Sequence, residues 1–435
     1  MIFYSDTTSP RLQYVIDFLS QYFNHSCELT TDKTVFLSSA DAKINYSSQR
    51  TGVSEIWIKP VDLIFENKIS PVFIKCFTHE SEFTAFFETD DDIGFDMLAA
   101  IFYLLSRYEE YLPHKKDLYG RYAHENSLAF QYGFLHQPLI NTWLGHLRKI
   151  LADKNSLLTI DLSPFTFLPT YDIDIAWGYK NKGFLRNTGG LVKSMVNAQW
   201  SMVKERLSVL VANKTDPYDV YEWLDKLHEQ YNLQPIYFFH VGEKKNKYDK
   251  NISVNNKNFR GLIQNVAANN KIGLHPSWRS GDQPLLIGRE KKILENITSK
   301  DISASRQHYI RLALPHTYRQ LIQAGISDDY SMGYGSVNGF RASITTSFYW
   351  YDLEKEEQTS LLIHPFCFMD ANAFFEQKLS PEQALDEILS YYKKIKNVNG
   401  QMVTIWHNTF LGTDKMFKGW REVYEKFIRI VSSSY

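Results

Sequence analysis

Cysteines, long apolar runs and net charge are all scarce in this 435-residue chain, and each scarcity excludes a class of protein. The three cysteines, Cys27, Cys76 and Cys367, are odd in number and far apart, which excludes a disulfide framework and a thiolate zinc site. The longest apolar run, Met97 to Leu105, is far shorter than the roughly 20 residues that cross a bilayer. The net charge of −1 provides no basic field that would attract nucleic acid.

The chain also lacks a recognisable export signal. Its N-terminus reads Met-Ile-Phe-Tyr-Ser-Asp, with no basic segment followed by an apolar one. With 44% apolar and 22% charged residues, the composition is that of an ordinary soluble globular protein. We therefore predict a cytoplasmic protein that has no membrane span and does not bind nucleic acid.

The hydrophobic pattern changes near residue 155, and this change predicts two domains. The first part, residues 1–155, alternates short strands and helices and contains no catalytic cluster. Its predicted elements are helices over 11–23, 95–111 and 138–151 and strands over 55–58 and 72–77. The second part, residues 156–435, alternates helical stretches with short apolar strands, a rhythm typical of a β/α barrel or an open α/β sheet.

Six predicted strands of the second part end in a side chain that can bind a metal or move a proton. They are Phe167–Asp172, Pro235–His240, Lys271–His275, Ile302–His308, Leu361–His364 and Met402–His407. The carboxyl ends of parallel strands face one common mouth, so these side chains are expected to meet there. A single histidine at such a position is more often an ordinary core or loop residue, but five of them together predict a site.

The first of these strands ends in two acids, Asp172 and Asp174, separated by one residue. Side chains two apart in a strand share a face, so the two carboxylates repel each other unless a cation lies between them. The alternative is an ordinary acidic strand end that caps the following helix. A metal held by one carboxylate and two imidazoles would lower the pKa of its water to roughly 7. The other carboxylate would then act as the general base.

From about residue 165 to residue 412, four motifs resemble, in order, those of the NodB-homology polysaccharide deacetylases, also called carbohydrate esterase family 4. In the first, Thr-Tyr-Asp-Ile-Asp, the resemblance implies that Asp172 is the catalytic base and Asp174 a metal ligand. In the second, Gly-Leu-His-Pro-Ser, it makes His275 a metal ligand. It also implies that Arg341, in Gly-Phe-Arg-Ala, orients the base and that His407, in Ile-Trp-His-Asn, is the general acid.

One position departs from this pattern. The family places a second metal-binding histidine four residues after the first, and here that position is Arg279, which cannot ligate a metal. A divergent branch of the family has an Arg-x-His-x-x-Arg stretch like the one around His308, so His308 is the predicted third ligand. His364 is the second choice and His240 the third. Nitrogen and oxygen ligands of this kind fit zinc or a related divalent ion.

Three aromatic residues next to the motifs, Trp278, Tyr334 and Trp406, are predicted to stack on a sugar ring, although most aromatics at such positions are packing residues. Between Lys180 and Asp219 lies an insertion with an amphipathic helix over residues 191–211. It is longer than a barrel crossover requires, and it would form either a wall of the cleft or a partner surface.

We therefore predict an α/β protein whose C-terminal domain, residues 156–435, is a distorted β/α barrel of the deacetylase type, preceded by a smaller α/β companion domain. The predicted reaction is metal-dependent removal of an acyl group, chiefly N-acetyl, from a glycan or another sugar-containing substrate. Three alternatives stay open. They are an inactive deacetylase fold that binds glycan or protein, which Arg279 favours, a glycosyltransferase that uses Asp-x-Asp, and a hydrolase of small amides.

Overall fold

The computed structural model describes residues 1–52, 54–154, 160 and 162–433. The predicted domain boundary between residues 155 and 156 falls outside the described residues. Among them, no helix is long and apolar enough to cross a membrane.

The described strands are short, and most are buried. They are β1 (Ile2–Tyr4), β2 (Glu28–Thr30), β3 (Lys43–Tyr46), β4 (Ile56–Ile58), β5 (Phe77–His79), β6 (Phe83–Ala85), β7 (Thr166–Ile173), β8 (Ile236–His240), β9 (Lys271–His275), β10 (Ala304–Ser305), β11 (Asp328–Asp329), β12 (Phe348–Asp352), β13 (Glu357–Ile363), β14 (Phe368–Met369) and β15 (Gln401–His407).

The described α-helices connect these strands. They are α1 (Pro10–Tyr22), α2 (Lys33–Ser38), α3 (Met97–Leu105), α4 (Leu128–Gln131), α5 (Leu139–Lys154), α6 (Phe184–Val196), α7 (Trp200–Leu210), α8 (Tyr221–Tyr231), α9 (Lys257–Asn269), α10 (Leu285–Thr298), α11 (His316–Gln323), α12 (Pro381–Asn397) and α13 (Trp420–Ser432).

The first part of the chain is built on a parallel sheet with the strand order β2-β1-β3-β4. Helix α1 begins after Ser9, whose side chain accepts a hydrogen bond from the backbone N–H of Leu12, and Pro10 occupies the first turn. Both residues are favoured at a helix start, because one satisfies a free N–H and the other has none to satisfy. Every residue of α3 is buried, so this helix forms the centre of the local core.

The second part is built on a nine-stranded sheet with the order β12-β13-β11-β10-β9-β8-β7-β15-β14. All neighbouring strands are parallel except β12 and β13. Within the described residues the two edge strands, β12 and β14, do not pair with each other. The mixed α/β class is therefore observed, whereas the closed barrel is not.

The helix predicted over residues 95–111 is shorter in the structure. Helix α3 ends at Leu105, Arg107 adopts a left-handed conformation with φ 55°, and residues 108–111 form a 3-10 turn. Apolar spacing continued the pattern through Tyr108, but the chain turns because Arg107 is buried and pairs with the two acids that follow it. A side-chain network has thus overridden the helical periodicity.

That network is a buried chain of ion pairs that joins the two parts of the protein. Arg107 donates to Glu109 at 2.7 Å and to Glu110 at 2.8 Å, and Arg341 donates through Nε to Glu110 at 2.8 Å. Burial opposes ionisation of Glu110, but Arg341 and Arg107 lower its pKa to about 2. The carboxylate therefore stays charged inside the protein.

Apolar contacts continue across the same boundary. The ring of Tyr351 in β12 lies 4.9 Å from that of Tyr14 in α1 and 5.2 Å from that of Phe102 in α3. Nearby, the buried Arg11 in α1 donates through Nε to Glu356 at 2.9 Å. Both parts contribute to one hydrophobic core.

Candidate metal centre and active site

The strand register brings the candidate residues to one edge of the large sheet. In β15 and β7, His407 lies opposite Asp172, and in β8 and β9, His240 lies opposite His275. The next strand, β10, ends at Ser305, just before the turn that carries His308. The prediction of a strand over residues 302–308 is thus correct only at its centre.

Two imidazoles face the carboxylate of Asp174. The Nε2 atom of His275 lies 3.0 Å from Oδ1, and the Nε2 atom of His308 lies 3.5 Å from Oδ2. The opposite nitrogens are engaged, because His275 Nδ1 lies 2.6 Å from the Arg306 carbonyl oxygen and His308 Nδ1 lies 3.1 Å from Asp249 Oδ1. Both acceptors lack protons, so the two Nδ1 atoms donate and both Nε2 atoms face Asp174.

This arrangement fits a divalent ion. The buried Oδ1 atom of Asp174 has no donor in hydrogen-bond geometry, and its potential ligand atoms with His275 and His308 all lie within 4.8 Å of one another. Burial raises the pKa of Asp174, but His308 and His275 lower it well below its usual value. Burial lowers the pKa of His308, and Asp174 and Asp249 raise it to about 9. The site thus attracts positive charge, which either protons or a metal ion can supply.

Asp249 supports this group from behind. Its Oδ1 atom accepts from His308 Nδ1 at 3.1 Å and from the Trp278 backbone N–H at 2.9 Å, and Asn246 binds Oδ2 at 2.7 Å. His240 Nε2 lies 3.6 Å from the same carboxylate. An acid that fixes the orientation of a ligand histidine is a common second partner of metal sites. Sequence reasoning missed Asp249, because it lies in a loop without a motif.

Asp172 has a different arginine from the predicted one. Arg306 donates through Nη1 to Asp172 Oδ1 at 2.9 Å and to Thr170 Oγ1 at 2.7 Å. Arg341 does not reach Asp172, because its guanidinium is held by Glu110. The expectation that Arg341 orients the base is therefore wrong for this structure. Arg306, two residues before His308, binds Asp172 instead. It is the first arginine of the Arg-x-His-x-x-Arg stretch in the sequence.

His407 lies on the other side of the same site. Its Nδ1 is 2.6 Å from Asp370 Oδ1, and its Nε2 is 3.7 Å from Asp174 Oδ2. Burial lowers the pKa of His407, but Asp370, Asp174 and Asp172 raise it to about 10. The imidazole is thus held with Nδ1 toward Asp370 and a proton available at Nε2. Asp370, directly after β14, was another residue that the sequence motifs did not reveal.

These groups face one cavity of about 400 Å³. Its lining includes Asp172, Asp174, His275, His308 and His407. Five predicted catalytic or ligand residues therefore share a single solvent-accessible space, which is large enough for one sugar unit.

The first part of the chain supplies a wall of this cavity through Tyr119 and Arg121. Arg121 donates to the Tyr309 carbonyl oxygen at 2.7 Å, and a Cβ at Gly335 would lie 1.8 Å from its Nη1, so only glycine permits this approach. Tyr309 and Ile310 both have positive φ, 58° and 53°. Such backbone costs roughly 1–3 kcal/mol per residue, and strain of this kind concentrates at functional sites.

The predicted sugar-stacking residues are not available. Trp406 is fully buried, and Tyr334 is 2% exposed beneath Arg341. Trp278 stacks on Tyr248 at 3.9 Å and lies under the Arg311 guanidinium, so its ring already has partners. The three predictions are wrong because neighbouring aromatic and basic side chains cover the rings. Other aromatic residues line the cavity: Tyr119, Tyr218, Tyr309, Phe375, Phe410 and Phe417.

The second-choice residues also have definite positions. His364 binds Asp328 at 3.0 Å and Ser347 at 2.8 Å, and it does not line the cavity. His240 lies behind His308 and belongs to a second buried group with Asp249 and His308, so the two groups share His308. Arg279 does not line the cavity either, and its guanidinium donates to Gln283 at 3.2 Å.

Replacing Asp249 with asparagine is expected to weaken zinc binding by roughly 10–100-fold, the usual cost of losing such a supporting acid. The amide keeps the size of the side chain but removes the charge that orients His308. Competition against a chromogenic chelator measures the affinity. Asp282→Asn, which alters a carboxylate paired at the surface with Arg311, is the matched control. Equal affinities in both variants would contradict the role of Asp249.

Comparisons with known proteins add structural neighbours. Residues 1–156 match the model of a family of unknown function, DUF7033, and no curated protein matches the chain. A putative polysaccharide deacetylase from Mycobacterium smegmatis is 13% identical, with 64% of this chain and 87% of that chain covered at a TM-score of 0.39.

Two further solved structures are similar in the same way. The catalytic domain of a peptidoglycan N-acetylglucosamine deacetylase from Eubacterium rectale is 12% identical and covers 64% of this chain and 91% of its own, with a TM-score of 0.30. A mutant of a CE4 family pseudoenzyme with restored activity is 9% identical and covers 62% and 64%, with a TM-score of 0.29.

Proposed function

We propose that this protein is a metal-dependent hydrolase that removes an acyl group, chiefly N-acetyl, from a sugar-containing substrate. The observation that carries this proposal is the convergence of Asp174, His275 and His308 on one point of the cavity, with Asp172 and His407 beside it. The order of the three sequence motifs that supply Asp172, Asp174, His275 and His407 supports the same chemistry. The nine-stranded sheet would then correspond to a deacetylase-type barrel that is open between its edge strands β12 and β14.

Three residues, Asp174, His275 and His308, would hold the ion. A divalent ion bound there supplies Lewis acidity toward a carbonyl oxygen and acidifies water. The ligand set of two imidazoles and one carboxylate suits zinc and leaves a position open for chemistry. Within the chain, the Arg306 carbonyl and Asp249 fix the two imidazoles so that both Nε2 atoms face inward.

Asp172 would take the proton from the attacking water. Arg306 binds its Oδ1 atom, which leaves Oδ2 turned toward the metal group at 3.8 Å from His275 Nε2. A base with one oxygen anchored and the other free is oriented for proton transfer. Arg306 touches the base and not the substrate, so it acts as a positioning residue.

His407 would deliver a proton to the leaving nitrogen. Its Nδ1 is fixed by Asp370, so its Nε2 points toward Asp174 and the cavity. The amine leaves readily only when protonated, and a positioned acid contributes typically 10²–10⁴-fold to such a step. Asp172 and His407 thus provide a base and an acid within the same cavity.

The inactive alternative depended on Arg279. Since its side chain binds Gln283 instead of entering the cavity, it neither blocks nor replaces a ligand. The glycosyltransferase alternative leaves the converging histidines without a role. Both considerations favour the proposed hydrolase over the inactive fold and the glycosyltransferase.

The test combines metal location with turnover. Anomalous diffraction at the zinc edge should give a peak bounded by Asp174, His275 and His308, and the zinc-loaded protein should release acetate from N-acetylated chito-oligosaccharides. Asp172→Asn and His407→Gln should each keep the peak and lose roughly 10²–10⁴-fold in rate. No zinc peak at this position, or equal rates in the wild type and both variants, would overturn the proposal.

A further inference from the structure

Helices α6 and α7 expose more large apolar side chains than any other described segment of similar length. Of the twenty large apolar side chains that are exposed among the described residues, ten lie between residues 184 and 211. They are Phe184, Leu185, Val192, Met195, Val196, Trp200, Met202, Leu207, Leu210 and Val211. We call these two helices and the turn between them the α6–α7 hairpin.

The predicted single helix over 191–211 is interrupted between α6 and α7, where Ala198 has a φ of 54°. This break folds the segment back on itself, so that α6 lies against α7. Few residues of the two helices are buried: Ser194 in α6, and Val203 and Val209 in α7. The large apolar side chains of both helices therefore remain mostly exposed to solvent. The amphipathic pattern seen in the sequence points outward instead of into a core.

In α6, Leu185, Val192 and Val196 recur at intervals of seven and four residues and share one face, with exposures of 87%, 55% and 79%. In α7, Trp200 and Leu207 lie seven apart, with exposures of 64% and 43%. Exposed patches of this kind mark interaction sites.

The hairpin and its flanking residues are strongly basic, and Lys193, Lys204 and Lys214 are exposed. The segment from residue 180 to residue 214 carries seven basic side chains and one acidic one, in a chain whose net charge is −1. The basic residues are Lys180, Lys182, Arg186, Lys193, Lys204, Arg206 and Lys214. The single acid, Glu205, accepts a hydrogen bond from the Tyr179 hydroxyl and faces the protein. Lysines of the loop 244–250 extend the basic area, because Arg186 donates to the Lys250 carbonyl oxygen at 2.7 Å.

We propose that the α6–α7 hairpin docks on a membrane surface that contains anionic lipids. Exposed apolar helix faces bordered by lysine and arginine are the pattern of helices that lie in the bilayer interface. Trp200 and Phe184 provide aromatic rings of the kind that helices in the bilayer interface carry on their apolar face. A second copy of the chain would bring two strongly basic hairpins together, and a nucleic acid would leave the aliphatic side chains in water.

The hairpin lies beside the cavity described above. Lys415 donates to Ser201 of α7 at 2.7 Å, and its neighbours Asp414 and Met416 line the cavity. Met416 is 57% exposed. A docked hairpin would thus bring the cavity rim close to the lipid headgroups. The docking itself does not depend on the proposed hydrolase activity, because it is measured without turnover.

Flotation with vesicles tests the proposal on the full chain. Vesicles of phosphatidylcholine with about a third phosphatidylglycerol should bind the wild type at least tenfold more strongly than pure phosphatidylcholine, and raised salt should weaken the binding. The variant Leu185→Ser/Val196→Ser should lose about tenfold or more in partitioning. Phe73→Ser/Leu285→Ser removes side chains that are 92% and 87% exposed elsewhere, and it should bind like the wild type.

The electrostatic contribution has its own pair of variants. Lys193→Gln/Lys204→Gln should weaken binding to the anionic vesicles several-fold, whereas Lys257→Gln/Lys426→Gln, which alters exposed lysines elsewhere, should not. The proposal is overturned if the wild type stays unbound, or if the hairpin and control variants bind alike. Light scattering that shows a dimer dissociated only by the hairpin variants would also overturn it, since a second copy would then cover the surface.

Discussion

Zinc binding is expected to be lost when Asp174 is replaced with asparagine. The carboxylate is the one group of the site that both imidazole Nε2 atoms face, at 3.0 Å from His275 and 3.5 Å from His308. Losing a direct ligand charge should cost more than the 10–100-fold that supporting residues contribute. Isothermal titration with zinc measures the effect, and the rate of acetate release should fall in parallel.

The matched control is His364→Gln. His364 is also a histidine at a strand end and was the second choice for the third ligand, but it binds Asp328 away from the cavity. Its replacement should leave the zinc affinity unchanged. If Asp174→Asn retains wild-type affinity, or if His364→Gln loses it, the ligand set derived above is incorrect.

Replacing Arg341 with methionine is expected to lower the free energy of unfolding by about 3–5 kcal/mol, the usual cost of removing one partner from a buried ion pair. The change leaves Glu110 with Arg107 alone, in a region where all three side chains are at most 3% exposed. Urea unfolding followed by circular dichroism measures the difference. Arg289→Met, which disrupts an exposed pair with Glu243, should change stability by about 0.5 kcal/mol or less.

The same variant separates stability from catalysis. Because Arg341 binds Glu110 and not Asp172, the folded fraction of Arg341→Met should keep its turnover number. Arg306→Lys should instead lower the turnover number, since lysine cannot reproduce the contacts to Asp172 and Thr170 together. A loss of turnover per folded molecule in Arg341→Met alone would restore the role that the sequence motif suggested.

Local sequence signals predicted the elements that carry the site. Strand β9 has the predicted bounds, Lys271–His275, and β7 and β15 differ by a residue or so from their predictions. These strands are apolar runs that end in a polar residue, and parallel pairing then brings their ends together. That logic placed His275 and His407 beside Asp172 without any knowledge of the loops.

Partners from distant loops could not be predicted in the same way. Asp249 and Asp370 reach His308 and His407 across long sequence separations, and neither lies in a periodic pattern. Arg341 shows the opposite problem, because a motif assigned it a partner that tertiary packing gave to Arg306. A motif specifies residue types in order, whereas the choice between two arginines depends on which carboxylate each one reaches.

The contacts between the two parts of the chain limit how the protein can be divided. Arg341 pairs with Glu110, Tyr351 packs on Tyr14, and Arg121 of the first part donates to the backbone carbonyl next to His308. A fragment that begins after residue 162 would expose a charged arginine, an aromatic core surface and an open cavity wall at once. Heat should therefore melt the intact chain in one cooperative transition, and the part that begins after residue 162 would not fold as an independent unit.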